Sequence, residues 1–310
     1  MTPVTDFDFL TEEIRDSIRP ATGCTEPVAI ALNCATARRH APGRIISVSV
    51  TMDMGLIKNA MNVGIPGVSG RGIKLCAAVG IVGGNPDDAM NVLAGITPDH
   101  EKQAREILSL IRIAAKEDAE ELYIETVLVT DETSVRVITS VDHDSIALVE
   151  KPPFTEFRPG SASGSPRIKE FGLEDFREFA DRVPIEKISF LREGIEMNRR
   201  IAEKGLEMGF GRSLSDLTRK AVWGDSLIPH VQLLTGAASF ARMTGVQMPV
   251  MITTGSGNQG ITLFLTVAAA AEKLGVPGDK VLRALALAGC VNLLAKAYLG
   301  TLSPICSCGD

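Results

Sequence analysis

Thr22-Gly23-Cys24-Thr25-Glu26-Pro27 sets a thiol, and a carboxylate two residues on, at the start of the apolar run VAIALNCATA. Unpaired N–H groups and the dipole at a helix N-terminus stabilise an anion, so a cysteine at this point tends toward its thiolate, the form that ligates a metal or attacks a substrate. The same residues also describe an ordinary helix start, with Thr22 or Thr25 as cap, Pro27 in the first turn and Cys24 as a small buried apolar residue. A second thiol cluster, Cys306-Ser307-Cys308-Gly309, is of a kind that presents two sulfurs from a turn. Structural zinc sites instead repeat a Cys-x2-Cys spacing, which is absent from the sequence. Cys34, Cys76 and Cys290 sit within apolar helical runs and read as core residues.

Two further segments carry polar groups suited to a small anionic ligand. Ser256, Gly257, Asn258 and Gln259, within TGSGNQG, open a long apolar helix, whose N–H groups form a seat for a carboxylate or phosphate. The alternative is a flexible loop beside a close helix crossing. Its glycines fall as G-x-G-x-x-G, but no strand–helix–strand unit follows, so this is not a dinucleotide fingerprint. Lys58 and Asn59 lie in a glycine-rich stretch; Lys58 suits carboxylate binding or, if desolvated, proton abstraction, and otherwise reads as a solvent-facing lysine. His40, His100, His143 and His230 share no ligand spacing.

These residues need elements to hold them. Apolar spacing predicts a helix over Phe7–Ile18, stopped by Pro20, and another from Glu26 to about Arg39. Alternation in RIISVSVTM predicts a strand over Arg44–Met52, followed by a loop-rich glycine segment. Helices are expected at Gly72–Val82, Asp87–Leu93 and Pro98–Glu117, then strands at Leu122–Thr130, Ser134–Ser140 and Ser145–Val149. A Pro/Gly/Ser-rich linker spans Lys151–Arg167, and beyond it only helical periodicities are found: Leu173–Arg182, Pro184–Met208, Ser213–Trp223, Leu227–Met243, Gly257–Leu274 and Pro277–Leu299. The expected fold is α+β, a mixed half with a small sheet (1–160) followed by an all-helical half (161–310).

Composition narrows the function. With 310 residues, 45 % hydrophobic and 23 % charged, the chain is long and apolar enough for a real core. A formal net charge of −6 without single-sign blocks argues against nucleic acid as a partner. No basic segment precedes an apolar core at the N-terminus, and the apolar run Ile261–Ala271 is about half of the roughly 20 residues that cross a bilayer, so a cytoplasmic chain with no membrane partner is expected. Six cysteines in a reducing compartment point to metal ligation or catalysis before disulfides.

RPATGCTEPVAIAL, KNAMNVGIPGV, TTGSGNQGIT, LRALALAG and AYLGTLSPICSCG, taken in order, resemble the L-cysteine desulfidase family (UPF0597-like), related to the α-part of iron–sulfur L-serine dehydratases. The resemblance implies a [4Fe-4S] cluster held by three cysteines with one iron left open to substrate. Cys24 matches the ligand of the GCTEP motif, and one of Cys306 and Cys308 the second ligand. Ser307 stands where relatives have glycine, and Pro304-Ile305 where they have Ala-Leu. Relatives continue past this motif to the third ligand, so the resemblance implies either a chain shortened at its C-terminus or a cluster completed otherwise, for instance by Cys290. The implied reaction is β-elimination of L-cysteine to sulfide, pyruvate and ammonia, with the substrate carboxylate at Ser256–Gln259 and the site completed by Lys58 and Asn59. L-serine dehydratase is the near alternative, and a binding or assembly protein that lost the cluster the more distant one; a structural zinc protein lacks four ligands. A small amino-acid substrate and a homo-oligomer are the expected partners.

Overall fold

The computed structural model describes residues 6–22, 25–117, 119, 122–158, 166–212 and 226–300. The chain forms two compact units, and neither is a single run of sequence. One holds Thr22–Ser163 together with Met243–Gln247; the other joins the N-terminal helix to Gly164–Arg242 and Met248–Leu299. A single cut near residue 160 misses this interleaving.

In the first unit, helix α2 follows α1 (Phe7–Ser17) and strand β1 (Ile18–Thr22) and spans Thr25–His40. Every residue from Thr25 to Ala37 is buried, so α2 has no solvent face and serves as a core helix. Strand β2 (Ile45–Asp53) leads into a short helix α3 (Met54–Ala60), and α4 (Ile73–Gly83) and α5 (Pro98–Glu106) follow. Strands β3 (Ile111–Lys116), β4 (Tyr123–Thr130), β5 (Ser134–Ser140) and β6 (Ile146–Glu150) complete a five-stranded sheet of order β3-β2-β4-β5-β6. β2 runs parallel to β3, with Val48 opposite Ile111, and antiparallel to β4, with Val50 opposite Thr126. Helices α2 and α4 pack on one face, burying Val48, Val50, Met52, Ile124, Leu128 and Val137. Asn33 of α2 is fully buried, and its amide donates to the carbonyls of Ile124 and Val137 and to Thr139 Oγ1, which ties the helix to the middle of the sheet.

Several expectations shift here. The helix expected over Pro98–Glu117 ends at Glu106, and Ile111–Lys116 becomes the edge strand β3, because parallel pairing with β2 satisfies a backbone that an isolated helical turn would leave to water. The Asp87–Leu93 helix is a kinked 3-10 turn over Pro86–Asn91, with Ala89 at φ 46°. Helix α3 lies in a stretch read as loop; its signal was Asp53, which caps it.

The second unit contains α6 (Leu173–Arg182), α7 (Ile185–Ile188), α8 (Leu191–Glu207), α9 (Leu227–Met243), strand β7 (Pro249–Thr253), α10 (Gly257–Leu274) and α11 (Gly278–Leu299), with α1 added from the N-terminus. The expected helix over 213–223 lies outside the described residues. The α+β class holds, but the later half is not wholly helical: β7 pairs with β1 in a two-stranded sheet. A five-residue strand running straight into a glycine turn is too short to break a helical pattern read over longer windows. Leu10, Ile14, Phe176, Phe179, Phe264, Leu282 and Leu285 form this unit's core. Among the described residues α11 is the one helix long and apolar enough to span a bilayer by length and composition, yet Leu282, Leu285, Cys290 and Leu293 on it are buried against other helices.

In the first unit α2 and α4 approach closely: a Cβ on Gly80 would lie 2.5 Å from the Ala31 carbonyl oxygen and 2.7 Å from its Cα. Since backbone cannot step aside as a side-chain tip can, Gly80→Ala is expected to cost about 1–3 kcal/mol. Gly95→Ala, with nothing within 4 Å of the added carbon, should stay within about 0.5 kcal/mol. Urea unfolding midpoints of the two variants check this, and equal midpoints would contradict the packing account.

Candidate functional site

The polar residues that the sequence singles out fall into two groups, one in each unit. In the first unit Asp53 is 5 % exposed, and its carboxylate accepts from the Leu56 N–H at 2.8 Å and the Tyr123 N–H at 3.1 Å. It caps α3 and pins the helix to β4. Lys58 and Asn59 ride on that short helix. Asn59 Nδ2 donates to Glu26 Oε1 at 3.3 Å, while Thr25 donates to Glu26 Oε2 at 3.1 Å, so a carboxylate only 8 % exposed is held at the first turn of α2. Glu26 thus both meets the helix dipole and orients Asn59. Lys58 is exposed.

The glycine-rich segment after α3 is fastened at both ends. Gly64 N–H donates to the Met243 carbonyl at 2.8 Å, and a Cβ on Gly64 would meet the Thr244 backbone at 2.3 Å. Further on, Ser69 gives Glu101 its hydroxyl at 2.6 Å and its N–H at 3.0 Å, and Arg105 adds an ion pair at 2.5 Å. These bonds, the Ser69 hydroxyl first, hold the Glu101 carboxyl down at about 2.

In the second unit, Met251 of β7 hands its carbonyl and its N–H to the side chain of fully buried Asn198, at 3.2 and 2.9 Å. The strand then turns at Thr254 (φ 47°) and Gly255 (φ 78°), and Ser256 caps α10 by accepting the Gln259 N–H at 3.3 Å. A β-branched residue in the left-handed region costs about 1–2 kcal/mol, a strain typical of functional turns. Gly257 and Gly260 permit close approach: a Cβ on the first would strike the Arg242 guanidinium at 2.3 Å and on the second the Met251 carbonyl at 2.1 Å. Arg242 is 2 % exposed and donates to Asn258 Oδ1 at 3.1 Å. Asn292 of α11 reaches the hydroxyls of Thr253 and Thr254, both at 3.1 Å. Sequence reasoning missed Arg242, Asn292, Asn198 and Asp53. A lone polar residue in the apolar run LALAGCVNLLA was the signal for Asn292.

Cys24, Cys306 and Cys308 lie outside the described residues; Thr25, the residue after Cys24, opens α2. Among the described residues no three His, Cys, Asp or Glu side chains group as metal ligands. Cys76 donates its thiol to the Pro27 carbonyl at 2.8 Å, and burial pushes the Cys34 and Cys290 thiols up to about 12. Cys290 sits in the second unit's core, protonated and surrounded by apolar side chains.

The sequence signature described as serine dehydratase alpha chain matches residues 87–309, which include the GSGNQG turn and the CSC motif. The chain belongs to the serine dehydratase alpha chain family. Within it, the chain is similar to proteins named UPF0597 protein: 34 % identical over 309 residues to one from Clostridium tetani, covering 97 % of this chain and 73 % of the relative. One from Caldanaerobacter subterraneus is 35 % identical, covering 98 % and 73 %, and one from Aeromonas hydrophila 36 % identical, covering 97 % and 71 %. No solved structure matches. The family signature begins at residue 87, so TGCTEP and Lys58-Asn59 fall outside it and inside the UPF0597 similarity, which runs nearly the whole chain. The name of the family is that of a lyase-type enzyme.

The Glu101 tether yields a pH prediction. A folded-state value of about 2 against the usual 4.5 means that the ionised form stabilises the fold above pH about 4.5, and that this contribution is lost as pH falls toward 2. Glu101→Gln is expected to lower the melting temperature at pH 7 and to flatten its decline between pH 4.5 and 2.5. Melting curves of the two proteins that run parallel over that range would contradict the assignment.

Proposed function

We propose that the chain is an iron–sulfur-dependent lyase that removes the β-substituent of L-cysteine, giving sulfide, pyruvate and ammonia. The observation that carries the reading is the run of family motifs, TGCTEP, KNAMNVGIPGV, GSGNQG and CSC, in order along one chain. A second reading, L-serine as substrate, is favoured by the name of the matching family; the two differ in the leaving group alone.

The donor chemistry fits the group: thiolates are the ligands of iron–sulfur clusters, and Cys24 with Cys306 or Cys308 would supply two of the three. Bound there, such a cluster would supply a Lewis-acidic iron suited to a sulfur or oxygen leaving group. The chain's own residues do the rest. Ser256 to Gln259, at the start of an 18-residue helix, bind the substrate carboxylate through N–H and amide donors. In the first unit Lys58 and Asn59 are the further catalytic candidates, Asn59 in the orientation that Glu26 imposes on it. In the elimination a base takes the α-proton, the Cα–H electrons form the Cα–Cβ double bond and the β-substituent leaves with its bonding pair. The resulting aminoacrylate tautomerises to an imine, and water releases ammonia and pyruvate.

Iron and acid-labile sulfide per chain, measured after anaerobic reconstitution, test the reading. The chain is expected to take up a cluster that Cys24→Ala loses, and to release pyruvate from L-cysteine faster than from L-serine. The reverse preference selects the serine reading; absence of iron and sulfide from both proteins while they remain folded would favour a binding or assembly role. Lys58→Ala with turnover intact would remove Lys58 from the catalytic set.

A further inference from the structure

The turn before α10 contains a directional chain of hydrogen bonds. Asn292 Nδ2 lies 3.1 Å from Thr254 Oγ1, and Thr254 Oγ1 lies 3.3 Å from Gln259 Oε1. A hydroxyl has one proton to donate. Asn292 donates into the Thr254 oxygen and Thr254 gives its proton to the Gln259 carbonyl oxygen, which leaves the NH2 end of Gln259 as its remaining polar end. Gln259 is 8 % exposed, and its Nε2 meets no partner among the described residues. An amide donor left over in this way suits a ligand that accepts from it. Thr254 itself holds a left-handed backbone, φ 47°, that glycine or asparagine adopts with less strain, and its N–H is tied to the Ser17 carbonyl at 2.9 Å. What threonine adds at that position is the hydroxyl.

We infer that Asn292 and Thr254 are positioning residues that fix the Gln259 carboxamide as a hydrogen-bond donor to the carboxylate of an α-amino acid at the start of α10. The inference rests on the reading of that turn as the carboxylate seat. The opposite polarity of the same chain would turn the Gln259 oxygen outward, where it would repel a carboxylate and suit an ammonium group.

L-alanine carries the α-carboxylate and α-ammonium of the substrate but no leaving group, and ethylamine is the same molecule without the carboxylate. Titration calorimetry of both into the full chain tests the relay without turnover. The native chain is expected to bind L-alanine at least about tenfold more tightly than ethylamine. Thr254→Val, which keeps the branched shape and removes the hydroxyl, should weaken L-alanine about tenfold or more, and Thr254→Ser should stay within about threefold of native. Asn292→Asp reverses the donor order and should close the gap between the two ligands; it decides the matter if circular dichroism shows Thr254→Val unfolded. Native-like L-alanine binding by Thr254→Val, or a native chain that does not distinguish the ligands or binds neither, would overturn the proposal. Relay-dependent alanine binding in a chain with no cluster and no turnover would retain the relay and sink the lyase reading. Turnover with alanine binding indifferent to Thr254 would do the opposite. Where turnover is present, Thr254→Val is expected to raise KM with kcat little changed, a split that general loss of structure does not produce.

Discussion

A strand in a helical body has backbone groups that neither water nor a full sheet can satisfy, and the second unit depends on how β7 meets that constraint. One edge pairs with β1, and at Met251 the side chain of Asn198 takes the place of a neighbouring strand, accepting the N–H and donating to the carbonyl. Leaving such a pair unsatisfied costs about 1–3 kcal/mol for each group. With the strand fixed, the turn at Thr254-Gly255 has a defined origin, and the missing side chain of Gly260 lets α10 settle on Met251. The first turn of α10, with its capping serine and two carboxamides, is therefore aimed by an asparagine on a different helix.

The first unit reaches the same end by the same means. Asp53 is one buried carboxylate answering two backbone N–H groups, one on α3 and one on β4. Glu26 receives Thr25 and Asn59. Both polar groups of the chain thus stand on short elements, a seven-residue helix and a five-residue strand, whose intrinsic stability is small. Tertiary hydrogen bonds to single buried side chains hold them instead.

Long periodic elements were legible in the sequence. The core helix α2, the hairpin β4–β5 and the apolar helices α10 and α11 lie close to where spacing puts them, since each repeats its signal over many residues. The short elements were not: α3 hid among glycines, β3 inside an apparent helix and β7 ahead of a turn, each formed by contacts distant in sequence. The turn at Ser256 was visible from its glycines and the apolar run behind it. Arg242 and Asn292 were invisible as partners of that turn, because a polar residue in an apolar helix announces that it has a partner without saying which. The thiols were visible by type and spacing, and the role proposed for them came from the resemblance.

The interleaving of the two units constrains the order in which the chain acquires structure. Helix α1 is made before the rest of its unit, yet Leu10 and Ile14 pack with residues that follow position 167. The first unit, in turn, lacks the partner of Gly64 until Met243 has been synthesised. During elongation an amphipathic helix and a glycine loop therefore wait for these distant partners over about half of the polypeptide. Such non-local closure is slow and leaves apolar surface exposed while it is pending. For this architecture the nascent chain on the ribosome, more than the finished molecule, is the state most in need of chaperone protection.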